Sequence, residues 1–243
     1  MRVNATDLQN SFGKYLALAE KENIIITKNG RNVARLVGYN PPGYFVVHDE
    51  SSKYQTSKKI SYEEYTTLVK SSDQRYELID GEIYLLASSS FYHQVIVNEL
   101  AWHFSSYFRE RPCRSLTAPL EVRLFAFALE KEPNVVQPDI IVICDEDRIN
   151  EENKYEGIPS LVVEVVSPAT KGKDMITKPN LYMKSGILEY WIVNPENKTI
   201  TQYTFTGNRK LKNIKEYGRN EKICSSVFEN LEIPLQAIFE SIK

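Results

Sequence analysis

Two carboxylates interrupt runs that are otherwise almost wholly apolar. Asp139 heads the apolar stretch of VVQPDIIVIC, and Glu164 sits in the middle of LVVEVVS. Burying an ionised carboxylate is costly unless it is paired or binds a metal. One such residue reads equally well as a satisfied structural acid. Two of them, on consecutive central strands, point to a shared divalent-cation site. Their oxygens are hard donors with no His–Cys set beside them, which favours Mg²⁺ or Mn²⁺ over zinc.

Those acids need elements to hold them. Ser61-Tyr62-Glu63-Glu64 is a capping box that opens a short helix to about Val69. Tyr76–Leu78 and Glu82–Leu86 flank Asp80-Gly81, a two-residue hairpin turn. A longer helix with a wide apolar face is predicted from about Tyr92 to Arg109, and a second from about Asp174 to Lys184. Strands are expected at Leu116–Phe125, Pro138–Cys144, Leu161–Ser167, Tyr190–Val193 and Thr199–Phe205. Helices interspersed among near-continuous apolar strands imply an α/β sheet covered on both faces.

A Pro-Asp pair followed by a strand glutamate is the skeleton of the PD-(D/E)xK nucleases. Longer phrases sharpen the match: YELIDGEIY, QPDIIVI, LVVEVVSPAT, then the span from Asp174 through Lys178 to GILEYWIVNP. In that order they resemble the Uma2 family of endonucleases across nearly all of residues 60–243. The resemblance implies a restriction-endonuclease-like α+β fold, a mixed sheet flanked by helices, that hydrolyses DNA phosphodiester bonds with Mg²⁺ or Mn²⁺. It implies Asp139 and Glu164 as metal ligands, with the carbonyl near Val165 completing the set. The superfamily's lysine two residues after the glutamate is Val166 here, so the resemblance assigns that role to Lys178. Asp174 and Tyr182 lie one helical turn on either side of it, and Lys171 and Lys173 are the runners-up. Pro179 follows Lys178 directly and is expected to kink or restart the helix. Glu82 is an accessory ligand candidate ranked above Glu77, which strand alternation places on the other parity. His93 is a candidate phosphate contact.

Whole-chain charge hides a division. Thirty basic residues oppose thirty-two acidic, for a net charge of −2. Residues 1–59 hold nine Lys/Arg against five Asp/Glu, about +4, which leaves about −6 for residues 60–243. The expected division is therefore a small module over 1–40, a linker over 41–59 and a large module over 60–243. In the small module Thr6-Asp7-Leu8-Gln9 reads as a capping box, with Leu8, Phe12, Tyr15, Leu16 and Ala19 on one helical face. Ile24–Lys28 and Arg31–Val37 flank Asn29-Gly30, a hairpin signal. This wording resembles the amino-terminal domain of Phd/YefM antitoxins. The resemblance implies a homodimer whose Arg2, Lys14, Lys28, Arg31 and Arg35 contact DNA; the family's toxin-binding tail is not evident, since the chain from Ile60 reads as folded.

Three cysteines, Cys113, Cys144 and Cys224, form no CxxC pair, and reduced thiols in a cytoplasm are expected. No apolar run is long enough to span a bilayer. Two readings stand: a Mg²⁺-dependent endonuclease with a basic docking module, or a DNA-binding regulator of the toxin–antitoxin type built on an inactive nuclease fold.

Overall fold

In this computed structural model, residues 2–10, 15, 24–28, 30–36, 45–46, 55–56, 59–125, 132–151, 154–167 and 173–242 are described. The chain divides into two compact units, Met1–Val47 with Ser51–Lys59, and His48–Glu50 with Ile60–Lys243.

In the first unit, β1 (Arg2–Asn4) runs parallel to β2 (Ile24–Lys28), and β2 pairs antiparallel with β3 (Arg31–Leu36). Gly30 takes φ 74°, as a tight hairpin turn requires. Val3 and Ile24 are buried against Leu8, Tyr15, Ile26 and Leu36. Helix α1 spans Ala5–Asn10, and its cap departs from expectation. Asn4 Oδ1 accepts from the Thr6 N–H at 3.1 Å, so the helix starts ahead of Thr6. β4 (Phe45–Val46) and β5 (Gln55–Thr56) form a short ladder inside the stretch read as linker. Phe12, Leu16, Ala19 and Lys14 lie outside the described residues, as does the side chain of Arg35.

The second unit opens with α2 (Tyr62–Lys70), where Ser61 and Glu64 cap each other reciprocally, as the sequence predicts. β6 (Tyr76–Ile79) and β7 (Glu82–Leu85) follow. Their turn residues Asp80 and Gly81 take φ 51° and 78°, the left-handed pair a two-residue hairpin demands. Helix α3 covers Phe91–Phe108. The expected Leu116–Phe125 strand divides instead into β8 (Arg114–Thr117) and β9 (Val122–Leu124), which join different sheets on either side of a cis Ala118–Pro119 bond. A proline without an N–H cannot extend the ladder, so the strand ends there. β10 (Asn134–Val136), β11 (Ile140–Ile143) and β12 (Leu161–Val165) come next, then a π-helical turn, Lys173–Thr177, running into α4 (Lys178–Ser185). β13 (Glu189–Asn194), β14 (Thr199–Phe205), β15 (Leu211–Gly218), β16 (Lys222–Cys224), β17 (Glu232–Pro234) and α5 (Leu235–Glu240) complete the unit.

A mixed six-stranded sheet, ordered β15-β14-β13-β12-β11-β8, forms the centre. Only β12 and β13 are parallel neighbours, joined by the crossover through α4. One face buries Leu161, Val163, Val165, Trp191 and Val193 against Ile96, Leu100 and Phe104 of α3 and Ile238 and Phe239 of α5. The other buries Val162, Tyr190 and Ile192 against Leu181 and Tyr182 of α4 and against Ile79, Val122 and Val136 of the smaller sheet, β7-β6-β10-β9. Each fully buried aliphatic or aromatic side chain contributes about 1.5–3 kcal/mol, so both layers pin β12 firmly.

Cys113 and Cys144 are joined by a disulfide, against the expectation of reduced thiols. Their separation in sequence concealed it. Antiparallel pairing of β8 with β11 sets Arg114 opposite Ile143, which brings the two flanking cysteines together.

Candidate active site

Register places the two acids. Ile140 of β11 stands opposite Val163 of β12, so Asp139, one step before the ladder starts, falls opposite Glu164. Pro138 can donate no ladder bond, and the Asp139 carbonyl still accepts from the Ala118 N–H at 3.1 Å on the β8 side. On the β12 side the Asp139 side chain makes the link: its Oδ2 accepts from the Val165 N–H at 2.8 Å and lies 3.1 Å from His93 Nε2. Glu164 shares a strand face with Val162, toward α4 and the smaller sheet.

Helix α4 brings the cation. Lys178 is only 2 % exposed, and its Nζ lies 2.6 Å from Glu164 Oε1, 3.1 Å from Glu77 Oε1 and 3.3 Å from Asp174 Oδ1. Tyr182, one turn on, donates to Glu164 Oε1 at 2.9 Å, and Tyr190 donates to the Asp174 carbonyl at 3.1 Å. The preceding π turn is wider than an α turn, a feature frequent at functional sites. It carries Lys173 and Asp174 to the same cluster, where Lys173 Nζ binds Glu77 Oε2. Pro179 does no damage. It occupies the first turn of α4, where no intrahelical donor is required.

Charge in this cluster is unbalanced. Burial pushes the Glu77 carboxyl up, but the Lys178 and Lys173 ammoniums outweigh it and hold the carboxyl far below its usual range. Burial also drives Glu164 up; Lys178 opposes this, while Asp174, Asp139 and Glu77 add to it, and its carboxyl reaches about 8. Burial would lower Lys178, yet Glu164, Glu77 and Asp174 together hold it well above its ordinary value. The cluster's shortage of positive charge is therefore felt most at Glu164, whose carboxyl holds its proton more readily than an ordinary carboxylate.

The acids and lysines line one cleft of about 680 Å³, whose wall also includes His93 and Val165, while Tyr182 and Tyr190 are buried behind it. The sequence-derived candidates Asp139, Glu164, Val165, Lys178, Asp174, Tyr182 and His93 thus come together. Glu82 does not join them: it accepts from Tyr84 OH at 2.8 Å and is absent from the cleft wall. Glu77, ranked below it, is fully buried at the centre of the lysine cluster. The parity argument failed because a two-residue turn pairs Glu77 with Tyr84 and Ile79 with Glu82. Odd positions of β6 therefore share a face with even positions of β7. Arg2, Lys28 and Arg31 are exposed in the first unit.

The Uma2 profile, described as "Putative restriction endonuclease", matches residues 62–236, which is most of the chain. This chain belongs to the Uma2 family. Residues 1–61, the antitoxin-like stretch included, lie outside that match, and the Phd/YefM resemblance has no support beyond its wording. An uncharacterized Synechocystis protein, slr1290, is 28 % identical over 159 residues, covering 65 % of this chain and 79 % of the relative. A crystal structure from Anabaena variabilis, described as a putative nuclease belonging to DUF820, superposes with a TM-score of 0.60 at 20 % identity. It covers 75 % of this chain and 98 % of that one, and establishes the shared α+β fold. Among the described residues no helix of this Uma2 protein is long and apolar enough to cross a membrane.

The donor geometry leaves room for a hydrated cation. Asp139 spends Oδ2, and Glu164 spends Oε1, on protein partners. Among the described residues Asp139 Oδ1 and Glu164 Oε2 have no hydrogen-bond partner, and both side chains line the cleft. No group of three or more His, Cys, Asp or Glu converges as a closed metal nest among those residues. Two carboxylates facing open space suit Mg²⁺, which keeps several waters.

Proposed function

We propose that this Uma2 protein is a Mg²⁺-dependent endonuclease that hydrolyses DNA phosphodiester bonds at the Asp139–Glu164 cleft. The observation that carries the reading is the pair of uncommitted carboxylate oxygens beside the buried Lys178. Asp139 and Glu164 would hold the ion, with a carbonyl near Val165 and waters filling the remaining positions. Bound there, the ion would polarise the phosphate and lower the pKa of a water. The protein's own residues set the stage. His93 and the Val165 N–H fix the Asp139 carboxylate in one orientation, and Tyr182 does the same for Glu164. Lys178 keeps its proton amid three acids and supplies fixed positive charge where the phosphorane gains negative charge. Glu77 also holds Lys178, and Lys173 neutralises Glu77 in turn.

The exposed Arg2, Lys28 and Arg31 would dock the first unit on the DNA backbone, alone or in a homodimer. Charge reversal at Arg2 and Arg31 should flatten the salt dependence of DNA binding in a gel-shift series. The main reading is tested with purified full-length protein and supercoiled plasmid. Nicking should require Mg²⁺, stop in EDTA, and vanish in Asp139→Asn and Glu164→Gln. Nicking that persists in both variants contradicts the reading; DNA binding without nicking at any Mg²⁺ concentration favours the inactive regulator.

A further inference from the structure

We infer that the ring pair Phe91–Tyr92 at the mouth of the cleft is a stacking platform for unpaired bases, and that single-stranded DNA is the preferred substrate. The inference rests on the nuclease reading above and specifies its substrate.

Phe91 is the first residue of α3 and is 76 % exposed. Capping does not account for it, because Ser90 already accepts from the His93 N–H at 3.3 Å. Tyr92 is 47 % exposed and lines the cleft, and its ring stands edge-on to Phe91 with centroids 5.8 Å apart. Two aromatic faces thus lie open to water on the helix that carries His93 to Asp139. Around them the cleft wall offers phosphate donors: the exposed guanidinium of Arg75 and the hydroxyls of Ser88 and Ser89.

A single-stranded nucleotide matches this arrangement. It presents an anionic phosphate and an apolar base face side by side, and base–aromatic stacking contributes substantially to single-strand binding without regard to sequence. In a duplex the base faces are covered by neighbouring pairs, so only phosphates would reach the cleft. The same helix supplies a control. Trp102 is 63 % exposed but sits ten residues beyond Tyr92, about 15 Å along the helix axis.

Fluorescence polarisation with the full-length protein in EDTA compares a labelled DNA strand with the same strand in a duplex. The single strand should bind about tenfold tighter. Phe91→Ala should weaken single-strand binding about tenfold, Phe91→Trp should restore it, and Trp102→Ala should leave it unchanged. Duplex binding should respond to none of the three. Equal affinity for strand and duplex, or an equal loss from Trp102→Ala, overturns the platform. So does sedimentation showing that Phe91→Ala dissociates a dimer, which would make the rings a self-interface. Plasmid nicking on the same preparations separates the two readings: Mg²⁺-dependent nicking without strand preference removes the platform alone. Strand preference with no Asp139-dependent cleavage removes the nuclease alone.

Discussion

Glu164 and Glu189 sit on adjacent parallel strands of one sheet, and both are buried. Their surroundings are opposite. Around Glu189, Trp191 Nε1 donates to Oε1 at 2.7 Å and Gln202 Nε2 binds the same oxygen. Oε2 accepts from Ser225 Oγ at 2.7 Å, from the Ser226 N–H at 3.0 Å and from the Val227 N–H at 3.2 Å. Both oxygens are thus saturated, which ties the loop before β17 to the sheet. Around Glu164 three more acids crowd in, one oxygen faces the cleft uncommitted, and the carboxyl is driven up to about 8. A buried acid saturated by donors holds structure together. A buried acid short of positive charge is one that a bound cation would relieve, as the proposed mechanism requires.

That contrast can be broken by substitution. The largest expected effect is on catalysis: Asp139→Ala and Glu164→Ala should each lower the Mg²⁺-dependent nicking rate about 10³-fold or more, since a misplaced ion forfeits several kcal/mol of transition-state stabilisation. Glu189→Ala should leave nicking per folded molecule unchanged. It should instead lower unfolding stability by about 3 kcal/mol or more in urea titrations, because each unpaired buried donor costs roughly 1–3 kcal/mol. Lys178→Met belongs to both classes, and should lower nicking while stranding Glu77, Glu164 and Asp174 without their counter-charge.

The next effect is on pH dependence in the metal-free protein. Glu164 titrates higher when folded than unfolded, so the folded state binds more protons between the ordinary carboxylate range and about pH 8. Its contribution is full at the acid end of that window and is lost as pH rises through it, by at most a few kcal/mol. Glu77 has the opposite sign: its folded carboxyl is depressed, so its contribution is present above the ordinary range and lost toward strong acid. Urea midpoints measured across pH should therefore fall on the alkaline side for the wild type and flatten in Glu164→Gln. The smallest effect is expected from Glu82→Ala, under about twofold in nicking as suits a half-buried turn-end contact outside the cleft wall; Glu77→Ala should cost far more through loss of the contact that holds Lys178.

Much of this site could be read from the residues. Asp139 and Glu164 stand out because a charge in an apolar strand is expensive. Lys178 comes from the Uma2 resemblance, Asp174 and Tyr182 follow from helical spacing about it, and the Asp80-Gly81 and Ser61–Glu64 signals are local chemistry that needs no tertiary information. What stayed hidden depends on pairing. Glu77 was misjudged because facing across a hairpin follows from register, which parity along one strand does not supply. Glu189 lies in the phrase GILEYWIVNP and looks as anomalous as Glu164, yet its donors come from segments up to thirty-eight residues away. The Cys113–Cys144 bridge required the β8–β11 ladder. The break at Ala118–Pro119 and the edge strand β15, whose side chains are mostly exposed, offered little apolar pattern to detect.

Manganese binding tests the central claim most directly. Electron paramagnetic resonance titration of the full-length, metal-free protein with Mn²⁺ should reveal bound ion that is lost in Asp139→Asn and Glu164→Gln and kept in Glu189→Gln, with Mg²⁺ competing for the same site. Binding that survives in both Asp139→Asn and Glu164→Gln, or no bound ion in the wild-type protein, would contradict it.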